Sequence, residues 1–297
     1  MVLLIIVTLI WGFSFGLIKG NLTGIDPYFV AFIRMALSLL VFLPFLRVRR
    51  LPRPALWRLM LTGAVQFGIM YIAYFFAFQT LQAYEVALFT ILTPIYVILI
   101  DDAFQRKFHF QFLLTALMAV AGTAVISYNG VSSGGMLTGF LLVQVSNIAF
   151  AFGQVYYRRV MRPLDGFRDQ DVFGLLYLGA FLVTGISCAA LTNWPTVQLG
   201  FKQYWTLAYL GIIASGLSFF LWNKGARQVD AGTLAIFNDL KVPVAVLISV
   251  VVFGESVNLV TLAVGGAIVV LALVINARFV KRFGETGSCM AGARSSQ

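Results

Sequence analysis

Long apolar runs recur along almost the whole chain, and no other feature constrains its fold as strongly. A run of about 20 apolar residues is enough to cross a bilayer as a helix. Of the 297 residues, 60% are hydrophobic and 11% are charged, against about 45–50% and about 25% in soluble globular domains. Lipid offers no partners to backbone polar groups, so such runs must be helical. The sequence therefore predicts an all-α integral membrane protein.

Ten such runs predict ten transmembrane helices, called spans 1 to 10 below. They cover residues 2–18, 28–46, 59–79, 84–100, 112–128, 139–157, 172–191, 205–223, 231–253 and 259–277. Five spans per half is an odd number, so two copies of one unit would insert in opposite directions, as inverted repeats. The predicted organisation is a first five-helix repeat at 1–128, a linker at 129–138, a second repeat at 139–279 and a tail at 280–297.

Basic residues are distributed very unevenly between the two sides of the predicted membrane. With a cytoplasmic N-terminus, only Lys19 and Lys202 lie outside. The cytoplasmic segments then hold Arg47, Arg49, Arg50, Arg53, Arg58, Arg106, Lys107, Arg158, Arg159, Arg162, Arg168, Lys224, Arg227, Arg278, Lys281, Arg282 and Arg294. The positive-inside rule therefore predicts that both termini are cytoplasmic. These charges indicate contact with anionic lipid and not with nucleic acid, because no basic domain with aromatic platforms accompanies them.

The first apolar run starts at Met1 without a basic leader or a small-residue cleavage site. Cleaved signal peptides carry both of these features. We therefore interpret the run as a retained membrane helix.

Pro94 and Pro243 stand near the middle of spans 4 and 9, one in each predicted repeat. A proline inside a helix removes a backbone hydrogen bond and clashes with the preceding turn, so it kinks the helix. Interrupted helices at matching places in two halves are typical of transporters with a site near the membrane midplane. We interpret both prolines as gating hinges; the alternative is that proline is simply common in membrane helices.

Four segments stand out together with the ten spans. They are Trp11-Gly12-Phe13-Ser14-Phe15, Phe32-Ile33-Arg34-Met35-Ala36, Leu92-Thr93-Pro94, and Pro243 followed by Phe253-Gly254-Glu255. This combination resembles the EamA family of the drug/metabolite transporter superfamily, over about residues 1–279. One departure is that Gln105-Arg106-Lys107 stands where the family often has Gly-Glu after span 4.

The resemblance implies a secondary transporter of the bacterial inner membrane, commonly an exporter of amino acids or related small metabolites. It also implies a central cavity bounded mainly by spans 1, 3, 4, 6, 8 and 9. We expect such a carrier to work by alternating access through this cavity. The alternatives are a drug or cation exporter of the same superfamily, and a membrane scaffold that transports nothing.

Span 9 carries two ionisable residues and an amide, Asn238, Asp239 and Lys241. A charge at the bilayer centre costs about 2.5–3.5 kcal/mol, so these side chains are expected to face protein or water. Asp239 and Lys241 are about 200° apart around the helix, whereas Asn238 and Lys241 share a face. We interpret Lys241, helped by Asn238, as the partner of a substrate carboxylate, and Asp239 as the partner of a substrate ammonium group or a coupling proton. Pairing with neighbouring helices is the alternative.

Span 6 carries amides at helical spacing, namely Gln144, Asn147 and Gln154. A lipid-facing helix would not place three amides on one side, so this face is expected to meet protein or cavity. Two interpretations stay open. The amides contact a substrate, or they form hydrogen bonds between helices only.

Aromatic residues and one arginine complete the candidate cavity. Tyr71 and Tyr74 are expected to face inward because buried tyrosine hydroxyls need partners. Trp11 and Trp222 are expected to line the cavity or close a gate beside them. Arg34 lies about 9–10 Å along span 2 from Tyr28. It is either a cavity residue or an anchor whose long side chain reaches the outer interface.

The sequence does not favour an enzyme. The single histidine, His109, lies in a predicted cytoplasmic loop, and Asp239 is the one acid placed deep in the membrane. A serine protease needs a nearby histidine, and an aspartyl site needs two carboxylates. No metal-binding or nucleotide-binding motif occurs, so neither a metal nor a cofactor is expected. The expected partners are a small-molecule substrate and membrane lipid.

Overall fold

Helices account for all the regular structure that the computed structural model describes. The described residues are 2–106, 135–164 and 166–229, with the further positions 110, 114, 118, 121, 234, 237, 238, 248, 251, 252, 254, 260, 263–265, 267, 268, 270, 271, 274, 275, 278 and 279. Within these residues, seven helical spans are long and apolar enough to cross a membrane. They are Val2–Leu22, Pro27–Phe45, Arg53–Thr80, Ala83–Gln105, Met136–Met161, Asp169–Leu191 and Phe201–Ala226.

These seven helices correspond to the predicted spans 1–4 and 6–8, and we keep those numbers. The chain is thus an all-helical, multi-pass membrane protein. Spans 5, 9 and 10 and the tail at 280–297 lie largely or wholly outside the described residues. Several boundaries differ from the prediction by a few residues. For example, span 3 begins at Arg53, and span 6 begins at Met136, inside the predicted linker. A helix can continue beyond the membrane into polar sequence, so hydropathy underestimates its length.

Local sequence explains where the helices begin. Asp26 precedes span 2, and its side chain accepts a hydrogen bond from the Phe29 N–H at 2.9 Å. Pro27 follows at the first helical position, where a missing N–H costs nothing. Span 3 begins at Arg53 without a side-chain cap, and Pro54 stands in its first turn. Span 2 closes with a 3-10 turn at Leu43–Phe45, and a second 3-10 turn at Trp194–Thr196 follows span 7.

Spans 3 and 8 are interrupted by π-helical segments near their middle. The α, π and α segments are Arg53–Gly63, Ala64–Ile69 and Met70–Thr80 in span 3, and Phe201–Tyr209, Leu210–Leu217 and Ser218–Ala226 in span 8. A π segment widens the helix and leaves backbone carbonyls without their usual partners, which is why such segments often occur at functional sites.

Span 4 is interrupted by a tighter turn. One 3-10 turn, Thr90–Leu92, separates the α-helices Ala83–Phe89 and Thr93–Gln105. Pro94 is the physical cause, because it has no N–H with which to continue the α-helical ladder. The predicted interruption of span 4 is therefore present, at Pro94.

At one end of the bundle, called the basic end, the arginine-rich loops meet. The contacts that join them are Arg47 N to Asp171 O at 2.8 Å, Arg227 Nη1 to Asp169 Oδ1 at 2.7 Å, and Arg159 Nη2 to Phe104 O at 3.4 Å. These contacts join the start of span 7 to the ends of spans 2 and 8, and the end of span 4 to that of span 6.

At the other end, called the opposite end, different loops meet. The contacts are Asn21 Nδ2 to Thr206 Oγ1 at 2.9 Å, Gly24 N to Gln79 Oε1 at 3.2 Å, and Thr192 Oγ1 to Asp26 Oδ1 at 2.9 Å. The described spans therefore alternate in direction within spans 1–4 and within spans 6–8, whereas spans 4 and 6 run in the same direction.

Spans 3 and 7 approach each other backbone to backbone. A Cβ atom on Gly63 would lie 1.8 Å from the Leu176 carbonyl oxygen, and one on Gly179 would lie 1.9 Å from the Met60 carbonyl oxygen. Only glycine fits at either position. This contact brings span 3, which carries Tyr71 and Tyr74, firmly against span 7.

Candidate functional site

A cavity lies between spans 1, 2, 3, 4, 6 and 8. The space inside it that the centre of a water-sized sphere can reach is about 70 Å³, which is room for several water molecules. Apolar and aromatic walls come from Trp11, Phe15, Ile18, Met70, Phe150 and Phe219. Polar groups come from Ser14, Arg34, Tyr71, Tyr74, Thr90, Ser146 and Asn147. None of the lining residues that the structure describes is acidic.

Arg34 carries the only formal charge among these described lining residues. It is 2% exposed, so its side chain does not reach an interface. Its Nη2 donates to the Tyr71 hydroxyl at 2.7 Å, and its Nε donates to Ser215 Oγ at 3.0 Å. The guanidinium also lies 4.3 Å from the centre of the Tyr71 ring, a cation–π contact. Its Nη1 has no hydrogen-bond partner among the described residues.

The π segment of span 8 places Ser215 beside Arg34. Side chains from three other spans stabilise the exposed carbonyls of this segment. Trp11 Nε1 donates to Ala214 O at 2.9 Å, Ser38 Oγ donates to Gly211 O at 2.8 Å, and the Tyr177 hydroxyl faces Gly216 O at 2.7 Å. Each of these side chains is buried. The irregular backbone is therefore held by specific donors, and Ser215 is held with it.

Asn147 lies where span 6 meets the interruption of span 4. Its Nδ2 donates to the Phe89 carbonyl at 2.9 Å and to Gln144 Oε1 at 3.0 Å. Gln144 contacts the same Phe89 carbonyl through Nε2 at 3.3 Å and the Tyr96 hydroxyl through Oε1 at 3.3 Å. The amides of span 6 thus satisfy a carbonyl that the 3-10 turn leaves free.

Aromatic rings close the cavity towards the basic end. Trp11 lies 4.9 Å from both Phe219 and Trp222 between ring centroids, and 5.7 Å from Phe150. Trp222 is fully buried. We call these four residues the aromatic floor.

Two amide clusters lie beyond the aromatic floor. Gln154 Oε1 accepts from Trp222 Nε1 at 2.9 Å and from Asn238 Nδ2 at 3.0 Å. Gln66 and Asn223 donate to each other at 3.0 and 3.1 Å. All five side chains are fully buried. Together they form a polar layer between the cavity and the basic end.

The structure brings some of the predicted site residues together and separates others. Trp11, Tyr71, Tyr74, Asn147 and Arg34 border one cavity. Gln144 lies beside it, against span 4, while Gln154, Trp222 and Asn238 lie in the polar layer. Pro94 is buried at the interruption of span 4.

Three predicted residues, Asp239, Lys241 and Pro243, lie outside the described residues. The proposed partners for a substrate carboxylate or ammonium in span 9 therefore stay predictions. The predicted boundary of the cavity also needs one addition, because span 2 contributes Arg34. Within the described part of the chain, no group of three histidine, cysteine or acidic side chains could hold a metal ion.

Several residues of the site are missing from the sequence-based prediction. Gln66 is a lone amide in an apolar span, and that isolation was the available signal for a buried partner such as Asn223. Thr90 and Thr93 precede Pro94 at helical spacing and supply hydroxyls at the interruption. Nothing in the sequence indicates that Ser215 meets Arg34, since the two are 181 residues apart.

The chain is similar to known proteins in family, in sequence and in structure. The profile of the EamA-like transporter family matches residues 1–128 and 137–278. A crystal structure of another protein superimposes with a TM-score of 0.70 over 94% of this chain and 98% of its own, at 18% sequence identity. That likeness shows that the fold recurs in a solved structure.

Three relatives that are similar in sequence carry names that state a substrate. A probable biotin transporter of Pseudomonas aeruginosa is 42% identical over 92% of this chain and 96% of its own length. The biotin transporter of Salmonella typhimurium is 41% identical over 94% of each chain. The biotin transporter of Escherichia coli K12 is 40% identical with the same coverage.

Proposed function

This chain belongs to the EamA-like transporter family, and on that premise we propose that it carries biotin across the bacterial inner membrane. Membership makes it a membrane transporter of a small molecule and not an enzyme. Biotin replaces amino acids as the proposed substrate, because two relatives at 40–41% identity are named biotin transporters and one at 42% is named a probable biotin transporter. The direction of net flux, predicted above as export, stays a prediction.

Arg34 is the observation that carries the proposal. Biotin has a pentanoate chain, and its carboxylate is ionised at neutral pH. A buried guanidinium with one nitrogen lacking a partner among the described residues is suited to such an anion, since charge-assisted hydrogen bonds are the strong ones. The aromatic walls would contact the thiolane ring and the aliphatic chain.

The positive charge of the cavity argues against two alternative classes of substrate, cationic drugs and amino acids. A cationic drug would meet Arg34 and, among the described lining residues, no carboxylate. A zwitterionic amino acid would find a partner for its carboxylate but none of opposite charge for its ammonium group in the described part of the lining. An organic monoanion such as biotin suits this lining better than either.

Transport would proceed by alternating access between two inverted repeats. The π segments support this organisation, because spans 3 and 8 are the third spans of the two proposed repeats, 1–128 and 139–279. The aromatic floor and the polar layer would close the cytoplasmic side in the arrangement seen here. Pro94, and Pro243 in the matching span, would act as hinges when spans 4 and 9 bend.

Uptake of radiolabelled biotin into proteoliposomes tests this proposal. We expect saturable uptake that unlabelled biotin inhibits strongly, that biotin methyl ester inhibits more weakly, and that glycine and leucine do not inhibit. Arg34→Met should weaken biotin binding about 10- to 100-fold, because a hydrogen bond to a charged group contributes about 1.5–3 kcal/mol. Lys202→Met removes a positive charge from an exposed position near the opposite end and should leave uptake unchanged.

Two results would contradict the proposal. One is wild-type protein that moves no more biotin than empty vesicles do. The other is an Arg34→Met variant, inserted at normal levels, that binds biotin as tightly as the Lys202→Met control.

A further inference from the structure

The amide of Asn147 is oriented by its neighbours, and the orientation can be read from their chemistry. The Phe89 carbonyl oxygen can only accept a hydrogen bond, so the atom 2.9 Å from it must be Nδ2. The second Nδ2 hydrogen goes to Gln144 Oε1 at 3.0 Å. A side-chain amide has two donors and two acceptor sites. Both donors of Asn147 are therefore used within the protein.

The interruption of span 4 is what creates this arrangement. In a continuous α-helix the Phe89 carbonyl would accept the Thr93 N–H. Here the Thr93 N–H bonds to the Thr90 carbonyl instead, so the Phe89 carbonyl turns to the amides of span 6. The kink next to Pro94 therefore determines that the Asn147 amide donates to the protein and that its oxygen remains available as an acceptor.

The side-chain oxygen of Asn147 has unused capacity to accept a hydrogen bond. Thr93 Oγ1 lies 3.2 Å from Asn147 Oδ1, but its single hydroxyl proton is shared with the Thr90 carbonyl. One proton cannot satisfy both acceptors, and an amide oxygen accepts two bonds. Asn147 is 3% exposed and borders the cavity. Its oxygen is a buried acceptor with capacity for a donor on the ligand.

We propose that Asn147 is a specificity-determining residue, whose Oδ1 accepts a hydrogen bond from an N–H group of the transported ligand. The inference rests on the proposed function, and with biotin the donor would be a ureido N–H. Arg34 would then select the carboxylate and Asn147 the ring. A ligand with the same acid chain but no N–H leaves the Asn147 oxygen with only the shared proton of Thr93, and an incompletely satisfied buried acceptor is costly.

Three carboxylate ligands, two with N–H groups and one without, test the inference. Biotin carries the ureido N–H groups beside a sulfur ring, dethiobiotin carries them without a sulfur ring, and lipoate carries a sulfur ring on a pentanoate chain and has no N–H. We expect wild-type protein in proteoliposomes to bind biotin and dethiobiotin at least about tenfold more tightly than lipoate. In Asn147→Leu, binding of biotin and dethiobiotin should weaken about tenfold while binding of lipoate stays within about twofold.

Gln144→Leu is the matched control. It removes a donor to the Phe89 carbonyl and the acceptor of one Asn147 Nδ2 hydrogen. The bond from Asn147 to the Phe89 carbonyl, which orients Oδ1, remains, and Gln144 is outside the cavity lining. A purely structural effect of loosening span 4 should lower binding of all three ligands by a common factor, so the ratio of biotin to lipoate should not change. If Asn147→Leu does not reach the membrane, Asn147→Ala is compared in the same way.

The possible failures are distinguishable. Wild-type protein that does not transport biotin overturns the proposed function and this inference with it. Wild-type protein that transports biotin, with an Asn147 variant that keeps the wild-type ratio of biotin to lipoate, overturns this inference alone.

Discussion

At the scale of single residues, Arg34 shows how a cation is held inside an apolar protein. Removing a charge from water is costly, so buried ionic groups require hydrogen bonds and usually an opposite charge. The structure describes no carboxylate beside Arg34. Tyr71 and Ser215 instead accept two of its hydrogen bonds, and the Tyr71 ring contacts its face. The guanidinium is thus oriented without being neutralised, which leaves its charge for a ligand.

Tyr71→Phe tests this orienting role. The variant keeps the ring but loses the hydroxyl that accepts from Nη2 and faces Ser215 Oγ at 2.9 Å. We expect the Kd for biotin to rise about tenfold, since a hydrogen bond to a charged group is lost. The relative rise should be much smaller for biotin methyl ester, which lacks the negative charge.

Tyr204→Phe provides the control, because Tyr204 is 60% exposed. Isothermal titration of the detergent-solubilised protein measures both variants. Equal effects of Tyr71→Phe on the acid and the ester would show that Tyr71 does not act through Arg34.

At the scale of elements, the irregular turns form contacts between spans that a regular helix could not form. The π segment of span 8 and the 3-10 turn of span 4 release carbonyls, and side chains from different spans bind them. Trp11 and Ser38 do so for span 8, and Asn147 does so for span 4. Side chains and neighbouring helices commonly satisfy backbone groups freed in membrane helices. The irregular segments therefore tie the spans around the cavity to one another.

The contact between spans 3 and 7 leads to a stability prediction. Gly63→Ala or Gly179→Ala would place a methyl group within 2 Å of a backbone carbonyl oxygen, so the helices must separate. Forcing a group into a filled contact typically costs about 1–3 kcal/mol. We expect each variant to unfold several degrees below wild type in thermal denaturation in detergent.

Gly20→Ala is the matched control within span 1. A Cβ at Gly20 would meet no atom within 4 Å, and alanine is the better helix former by about 1 kcal/mol. Its melting temperature should equal or exceed that of wild type. A Gly63→Ala variant as stable as Gly20→Ala would refute the close contact.

At the scale of the whole molecule, the arginines of the described loops lie at one end of the bundle, and the cavity is closed towards that end. The aromatic floor and the polar layer lie between the cavity and the basic end. If the positive-inside rule holds for this protein, the basic end is cytoplasmic. The arrangement would then be one in which the cytoplasmic gate is shut.

Cysteine labelling tests this orientation in a background with Cys188 and Cys289 replaced by serine. Lys202→Cys lies near the opposite end and Arg50→Cys lies at the basic end, both exposed. We expect a membrane-impermeant maleimide to label position 202 in spheroplasts, and position 50 only after the membrane is permeabilised. The reversed pattern would refute cytoplasmic termini.

Much of the architecture follows from the sequence. Spans 1–4 and 6–8 are where the apolar runs predicted them, because a helix is the one structure that satisfies a lone segment in lipid. The interruption of span 4 at Pro94 was predictable for an equally local reason. Helix ends were less predictable, since Arg53 and Met136 begin helices in sequence that hydropathy does not mark.

Alone, then, the sequence determined that this protein is helical, lies in a membrane and resembles a transporter family, since hydropathy, helix period and proline act on neighbouring residues. Tertiary structure alone decided the site. Arg34 is 37 residues from Tyr71 and 181 from Ser215, and no local pattern encodes that meeting. The ligand preferences of Arg34 and Asn147 depend on which of their atoms neighbouring spans leave free, and only packing determines this.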